Sequence, residues 1–265
     1  MQVESKFQYG GKESRSGMGQ QEAWRHGGPD FVNPDFDRAK RKGVPEVILA
    51  EGKTLEHAVE IVRVFLERKG RAILSRVSPE LEARLHAEFG GEVEFEWYMA
   101  ARAAVLHKPD VQVPHKGGRV GILTAGTSDV PAAQEAAMLC REMGCEVFTT
   151  FDVGVAGLHR LFGPLYQMLD DHVVDVLIVA AGMDGALPSV VSGLADVPVI
   201  GLPTPVGYGL GGQGIGALYS MLQTCAPGMA VVNVGNGIGA GAMAGLIANR
   251  AAAAREGNHS AHTSS

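Results

Sequence analysis

Val176 to Gly193 reads VLIVAAGMDGALPSVVSG, and this stretch decides the fold. It opens as an uncharged aliphatic run, the pattern of a strand buried on both faces. Gly182 breaks the run, Asp184 follows, and Gly185 and Pro188 bend the chain into a new apolar segment. Open α/β sheets place their ligands at such a turn, just past the carboxyl end of a buried strand. A carboxylate there serves either chemistry or the plain capping of the next helix.

The same rhythm extends on both sides. Strands are expected at Val120–Thr124, Glu146–Phe151, Val174–Ala180, Val197–Leu202 and Ala230–Val234. Helices are expected at Pro131–Met143, Gly157–Leu169, Ile215–Cys225 and Gly239–Arg255, with a further apolar segment after Pro188. Five strand–helix units predict an α/β fold, a doubly wound five-stranded parallel sheet of flavodoxin-like kind. Upstream lies a smaller α/β unit. It has a short charged helix at Asp35–Lys42, a strand at Glu46–Ala50, and a helix capped by Thr54. A strand at Arg71–Ser75, a helix opened by Ser78-Pro79 and a strand at Val93–Tyr98 complete it. The expected boundaries are a loose N-terminus over 1–30, an α/β domain over 31–115, the larger catalytic domain over 116–255, and a polar, mobile tail over 256–265. His107 to Pro114 serves as the linker.

Composition narrows the function. A net charge of −6 argues against a nucleic-acid binder. The three cysteines, Cys140, Cys145 and Cys225, form no CxxC pair, so neither a disulfide framework nor a cysteine-rich zinc site is expected. A reducing, cytoplasmic setting is the simplest reading, and the polar N-terminus lacks the apolar core of a signal peptide. Ala226 to Asn249 carries no charge and is long enough to span a bilayer. Its asparagines and glycines favour a buried strand followed by a buried helix, so no membrane partner is expected. HExxH, Walker A and serine-elbow motifs are all missing.

Several local motifs can carry chemistry. Gly126-Thr127-Ser128-Asp129 ends the first strand of the large domain, where hydroxyls and backbone N–H groups form either a phosphate cradle or an ordinary cap. His159 and Arg160 follow Asp152, a placement suited to proton transfer and phosphate binding, or to a plain helix surface. Gly209, Gly211 and Gly214 satisfy GxGxxG, but no strand directly precedes them and no acidic residue ends the next strand. They read as a flexible or ligand-lining loop. Cys225 precedes Ala226-Pro227-Gly228, and a lone cysteine in apolar surroundings is ordinarily inert packing.

Taken together, the second half resembles the aminoimidazole ribonucleotide (AIR) carboxylase and mutase family of purine synthesis. The matching features are the GTSD turn, the His159-Arg160 pair, AGMDGALPSVVSG followed by VPVIGLPT, and the final glycine-rich helix. The resemblance is closer to the LarB-type relatives, which make the precursor of the nickel-pincer nucleotide cofactor. It is carried by PEVILAEGKT (Pro45–Thr54), DVGVAGLHRL (Asp152–Leu161), PTPVGYG (Pro203–Gly209) and Cys225-Ala226-Pro227-Gly228 leading to VVNVGNGIGAG.

That resemblance implies carboxylation of the nicotinate ring of nicotinic acid adenine dinucleotide at C5, with hydrolysis of the phosphoanhydride. The products would be pyridinium-3,5-biscarboxylate mononucleotide and AMP, with CO2 or bicarbonate as co-substrate and Mg2+ assisting the phosphoanhydride step. It implies Cys225 as nucleophile and Asp184 as ring-proton base, at a position where the family usually carries Glu. Partial burial would raise such a carboxyl toward a useful range. Gly126, Thr127, Ser128, Asp129, His159, Arg160, Gly207 and Tyr208 would hold the nucleotide. Lys53 would reach a phosphate or the AMP half, or else be solvated, and Asp129 and Asp152 are the candidate metal ligands. A homo-oligomer, by analogy an octamer, is also implied. The uncharged Gly239–Ala248 helix suits either self-packing between copies or the core of one subunit. The competing readings are the purine carboxylase or mutase itself and a non-catalytic nucleotide sensor.

Overall fold

The computed structural model describes residues 33–262, with side chains through residue 257, so the expectation for residues 1–30 lies outside it. From Asp35 onward the chain forms one compact unit built on two sheets.

The N-terminal sheet runs β1 (Ile48–Leu49), β2 (Arg71–Ser75), β3 (Glu94–Tyr98) and β4 (Ala103–His107), in spatial order β1-β2-β4-β3. β1 is parallel to β2, and the other pairings are antiparallel. After the short α1 (Arg38–Lys42), α2 (Leu55–Lys69) and α3 (Pro79–Phe89) cover one face. Thr54 and Ser78 cap α2 and α3, their hydroxyls accepting from the amides of His57 and Leu81.

β4 is a strand that the sequence reading left out. Its Ala103-Ala104-Val105-Leu106 run lacks alternation because both faces are buried. Ala104 and Leu106 face α2 and α3, whereas Ala103 and Val105 face the other way, toward Met138. Strand pairing supplies what the weak β propensity of alanine does not.

The second sheet is entirely parallel. Its strands are β5 (Arg119–Thr124), β6 (Glu146–Thr150), β7 (Val176–Ala181), β8 (Val199–Pro203) and β9 (Met229–Val231), in order β6-β5-β7-β8-β9. This is the expected doubly wound, flavodoxin-like arrangement, with its topological switch between β5 and β7. α4 (Val130–Glu142) and α8 (Gly237–His262) cover one face, while α5 (His159–Tyr166), α6 (Ala186–Ser192) and α7 (Ile215–Leu222) cover the other.

Glycines and alanines let α4 and α8 approach closely. A Cβ on Gly241 would stand 2.7 Å from the Ala136 carbonyl oxygen, and the Cys140 thiol reaches the Gly241 carbonyl at 3.4 Å. Ala240, Ala244 and Ala248 are therefore core of one subunit. No helix among the described residues is long and apolar enough to cross a membrane.

Two ends move relative to expectation. α8 runs through to His262, past the expected helix end at Arg255. The alanine run 251–254 propagates the helix well, and Arg255 ties it to Asp175 and the Gly117 carbonyl. α7 ends at Leu222, which leaves Cys225 in the loop before β9.

α4 joins the two sheets. Met138 packs among Ile73, Ala101, Ala103 and Val105, and Arg71 makes a two-pronged ion pair with buried Glu142.

Candidate active site

The loops after β5, β6, β7 and β8 gather at the carboxyl edge of the parallel sheet. Asp129, only 4% exposed, closes the GTSD turn. One carboxylate oxygen accepts from the Gly126 amide at 2.9 Å, and the other from the Thr204 hydroxyl at 2.6 Å. Thr204 lies just past β8, so this bond ties the loops of β5 and β8 across the sheet edge. Thr127 and Ser128 remain exposed at the start of α4. Their hydroxyls and the neighbouring amides suit an anionic group.

Asp152 follows β6 in the left-handed region, at φ +61°. Its amide donates to the Thr124 hydroxyl at 3.1 Å, and its carboxylate accepts from Arg160 at 2.8 Å. Arg160 and exposed His159 therefore reach the same edge. The turn after β7 is fastened by the Met183 amide, which donates to the Val206 carbonyl at 2.7 Å. Gly185 takes φ +60° where a Cβ would come within 2.7 Å of the Ala217 backbone. Between them Asp184 is exposed, one oxygen accepting from the Ala186 amide at 3.4 Å. The expected partial burial is not met in the single chain. Gly207 packs beside Met183, and Tyr208 is 82% exposed.

The glycine loop is held by its own packing. A Cβ on Gly214 would stand 2.7 Å from the Thr204 carbonyl oxygen. That close approach explains this glycine without any dinucleotide.

Cys225 lies elsewhere. The Gly228 carbonyl accepts from the amide of Val199, the first residue of β8, and the Pro227 carbonyl accepts from the Ser192 hydroxyl at the end of α6. These contacts place Thr224–Gly228 at the amino edge of the sheet, across the length of α7 from Asp184. Eight helical residues span about 12 Å. One chain does not bring this thiol and this carboxylate together. Cys225 is exposed, whereas Cys140 and Cys145 are buried. Burial raises both buried thiols, Cys145 to about 11.

Lys53 is exposed in the turn after β1, in the N-terminal sheet. The two metal candidates, Asp129 and Asp152, both have partners within the chain. Asp129 accepts one hydrogen bond on each oxygen, from Gly126 and Thr204, and Asp152 is paired with Arg160. Among the described residues no group of three or more His, Cys, Asp or Glu side chains could hold a metal ion.

Comparison with known families accounts for both sheets. Residues 119–263 match AIR carboxylase, and residues 28–108 match the LarB/PurE-like N-terminal domain. The chain is a LarB-type member of the AIR carboxylase family. An uncharacterised protein of Methanocaldococcus jannaschii is 41% identical over 216 residues, covering 81% of this chain and 82% of the relative. The N5-carboxyaminoimidazole ribonucleotide mutase of Thermotoga maritima is 28% identical over 135 residues, 49% of this chain and 74% of that enzyme. The corresponding mutase of Mycobacterium tuberculosis H37Rv is 31% identical over the same length, 50% of this chain and 72% of that enzyme. The AIR carboxylase family is one of carboxylases and mutases, and this member shares its parallel-sheet half with the purine mutases.

Sequence reading missed three polar residues at this edge. Thr204 ends VPVIGLPT, where nothing nearby in the sequence points to its partner. Glu135, buried in α4, was visible as a lone carboxylate in the apolar run VPAAQEAAMLC. Arg76 gave no signal, because only the backbone reveals its left-handed conformation.

Proposed function

We propose that this LarB-type protein, acting in the cytoplasm, carboxylates the nicotinate ring of nicotinic acid adenine dinucleotide at C5. It also hydrolyses the phosphoanhydride, giving pyridinium-3,5-biscarboxylate mononucleotide for the nickel-pincer cofactor, and AMP. The observation that carries this reading is Cys225, the exposed thiol among three free cysteines, the other two being buried with raised pKa.

The chemistry requires such a thiol. A pyridinium ring is too electron-poor to attack CO2. Addition of the Cys225 thiolate forms a C–S bond and moves an electron pair onto the ring nitrogen, which creates a dihydropyridine with a nucleophilic enamine carbon. That carbon bonds to CO2. Asp184 removes the proton from the same carbon, the C–S bond breaks, and aromaticity returns as the thiolate leaves. One difficult step becomes several easier ones, and no net oxidation occurs. Thr127, Ser128, His159 and Arg160 suit the nucleotide phosphate and orient the ring.

Cys225 and Asp184 meet only if two copies of the chain share the site. Support comes from exposed apolar side chains on two helices of one face of the sheet. On α7, Ile215, Tyr219 and Leu222 are exposed at helical spacing, and on α5 Phe162 and Tyr166 are exposed together. Apolar side chains grouped on a helix face and left in water suit an interface. Cys225 lies just past the last residue of the α7 stripe. A homo-oligomer, by family analogy an octamer, would cover this face and carry one copy's thiol to another copy's carboxylate.

The test supplies nicotinic acid adenine dinucleotide, bicarbonate and Mg2+, and follows AMP and the biscarboxylate by mass spectrometry. The wild-type chain is expected to form both products, and Cys225→Ala to form no carboxylated one. Mixed oligomers of Cys225→Ala and Asp184→Asn should regain activity that neither variant has alone. Full carboxylation by Cys225→Ala removes the nucleophile from the reading. The relatives named as ribonucleotide mutases favour a second reading, turnover of that carboxyamino ribonucleotide, which Cys225→Ala would leave intact.

A further inference from the structure

Asp152 stands at the carboxyl edge of the parallel sheet in a costly conformation, and no step of the proposed carboxylation uses it. Its φ of +61° lies in the left-handed region, which most side chains avoid and aspartate adopts only at some cost. Strain of this kind persists where the surroundings over-determine it, and it gathers at functional sites.

The surroundings here are the end of β5. The Asp152 amide donates to the hydroxyl of fully buried Thr124 at 3.1 Å, and the Val153 amide donates to the Thr124 carbonyl at 3.0 Å. Gly154 follows so closely that a Cβ on it would stand 2.6 Å from the Ala125 carbonyl oxygen. The next residue after Ala125 is Gly126, the first of the GTSD turn. Residues 152–154 are therefore pinned to the strand end that carries the anion cradle.

From this fixed point the side chain reaches α5. Its carboxylate accepts from Arg160 Nη1 at 2.8 Å. A second contact confines the same guanidinium. A Cβ on Gly157 would stand 2.7 Å from Arg160 Nε and 3.1 Å from Nη2, so the fork occupies the space that a side chain at 157 would take. The Arg160 side chain is still 40% exposed, which leaves N–H donors for an anion.

An ion pair this exposed adds little to folding stability. It does restrict where a long side chain can go, and an aimed fork loses less rotamer freedom on binding than a free one. The carboxylate would repel a phosphate directly, so its use to an anionic ligand is through the arginine.

We propose that Asp152 is a positioning residue, which acts by aiming Arg160 at the phosphate of a nucleotide seated on the GTSD turn and does not itself ligate Mg2+. This rests on the nucleotide reading of the preceding section, but not on which ring is carboxylated.

The test is calorimetric binding of nicotinate mononucleotide to the full chain and to Asp152→Gly, Arg160→Gln and the double variant, each with and without Mg2+. Glycine accepts the left-handed φ, so the exchange does not strain the backbone at 152. Asp152→Gly is expected to bind about five- to tenfold more weakly and Arg160→Gln about tenfold or more, as for a lost charged hydrogen bond. The double variant should match Arg160→Gln within about twofold, with and without Mg2+, because the aspartate acts only through the arginine.

The role is overturned if Asp152→Gly binds as tightly as wild type. It is overturned too if the Asp152→Gly loss persists in the Arg160→Gln background, as a merely structural disturbance of the loop would. A loss that appears only with Mg2+ would make Asp152 a metal ligand instead. A wild-type chain that binds aminoimidazole ribonucleotide but not nicotinate mononucleotide overturns the nicotinate reading, and the same cycle on that ribonucleotide then decides the role of Asp152. Binding of neither overturns both.

Discussion

The turns after β5 and β7 flank the switch point of one sheet, and each carries an aspartate near a glycine, but the two carboxylates have opposite fates. Asp129 is buried with both oxygens bonded, one to its own turn and one to Thr204 on another loop. Asp184 is exposed and holds one long bond within its own turn. The first carboxylate is part of the frame, whereas the second is available to a reactant. A strand-end aspartate is therefore classified by what its oxygens already touch, not by its place in the topology.

Exchange of each residue tests that contrast. Asp184→Asn keeps the local bond and removes the base. It should lower carboxylation by about 10²–10⁴-fold. Its unfolding free energy should stay within about 0.5 kcal/mol of wild type in urea titrations. Unchanged turnover would make Asp184 a cap and nothing more. Asp129→Ala should act in reverse. It strands the buried Thr204 hydroxyl and the Gly126 amide, and should cost about 3 kcal/mol in the same titration. A loss under about 1 kcal/mol would mean the loops of β5 and β8 hold together without it.

The cysteines extend the contrast to the opposite edge. Iodoacetamide at native pH should label Cys225 and spare Cys140 and Cys145, as read by peptide mass spectrometry. Labelling of Cys145 before Cys225 would remove the distinction between framework and reactive thiols. The smallest effect is alkaline. Burial raises the Cys145 thiol to about 11 from an ordinary 9, so its neutral form is favoured in the folded chain. Its contribution is intact below about pH 9 and is lost as the pH rises toward 11, because the unfolded thiol ionises first. Cys145→Ala should flatten that part of the stability profile.

Much of the parallel half was legible. Uncharged strands such as VLIVAA and helices that open or close with proline or glycine state their boundaries locally. β4 was not, since a strand buried on both faces and rich in alanine shows neither alternation nor β-branched bias. At the site, GTSD and GMDG were readable as turns. The roles of their aspartates were not, because Thr204 stands 75 residues from Asp129.

The sequence by itself determined the family, the doubly wound sheet and the residue types available for chemistry, because strand periodicity, caps and glycine turns are encoded within a few residues of one another. Only the tertiary structure decided which carboxylate is spent and which is open. It also decided that Cys225 and Asp184 occupy opposite edges, and that Asp152 is fastened to Thr124 at the end of β5. Each of those outcomes is a meeting of distant segments, and its energy depends on burial and hydrogen-bond partners that no local stretch of chain contains.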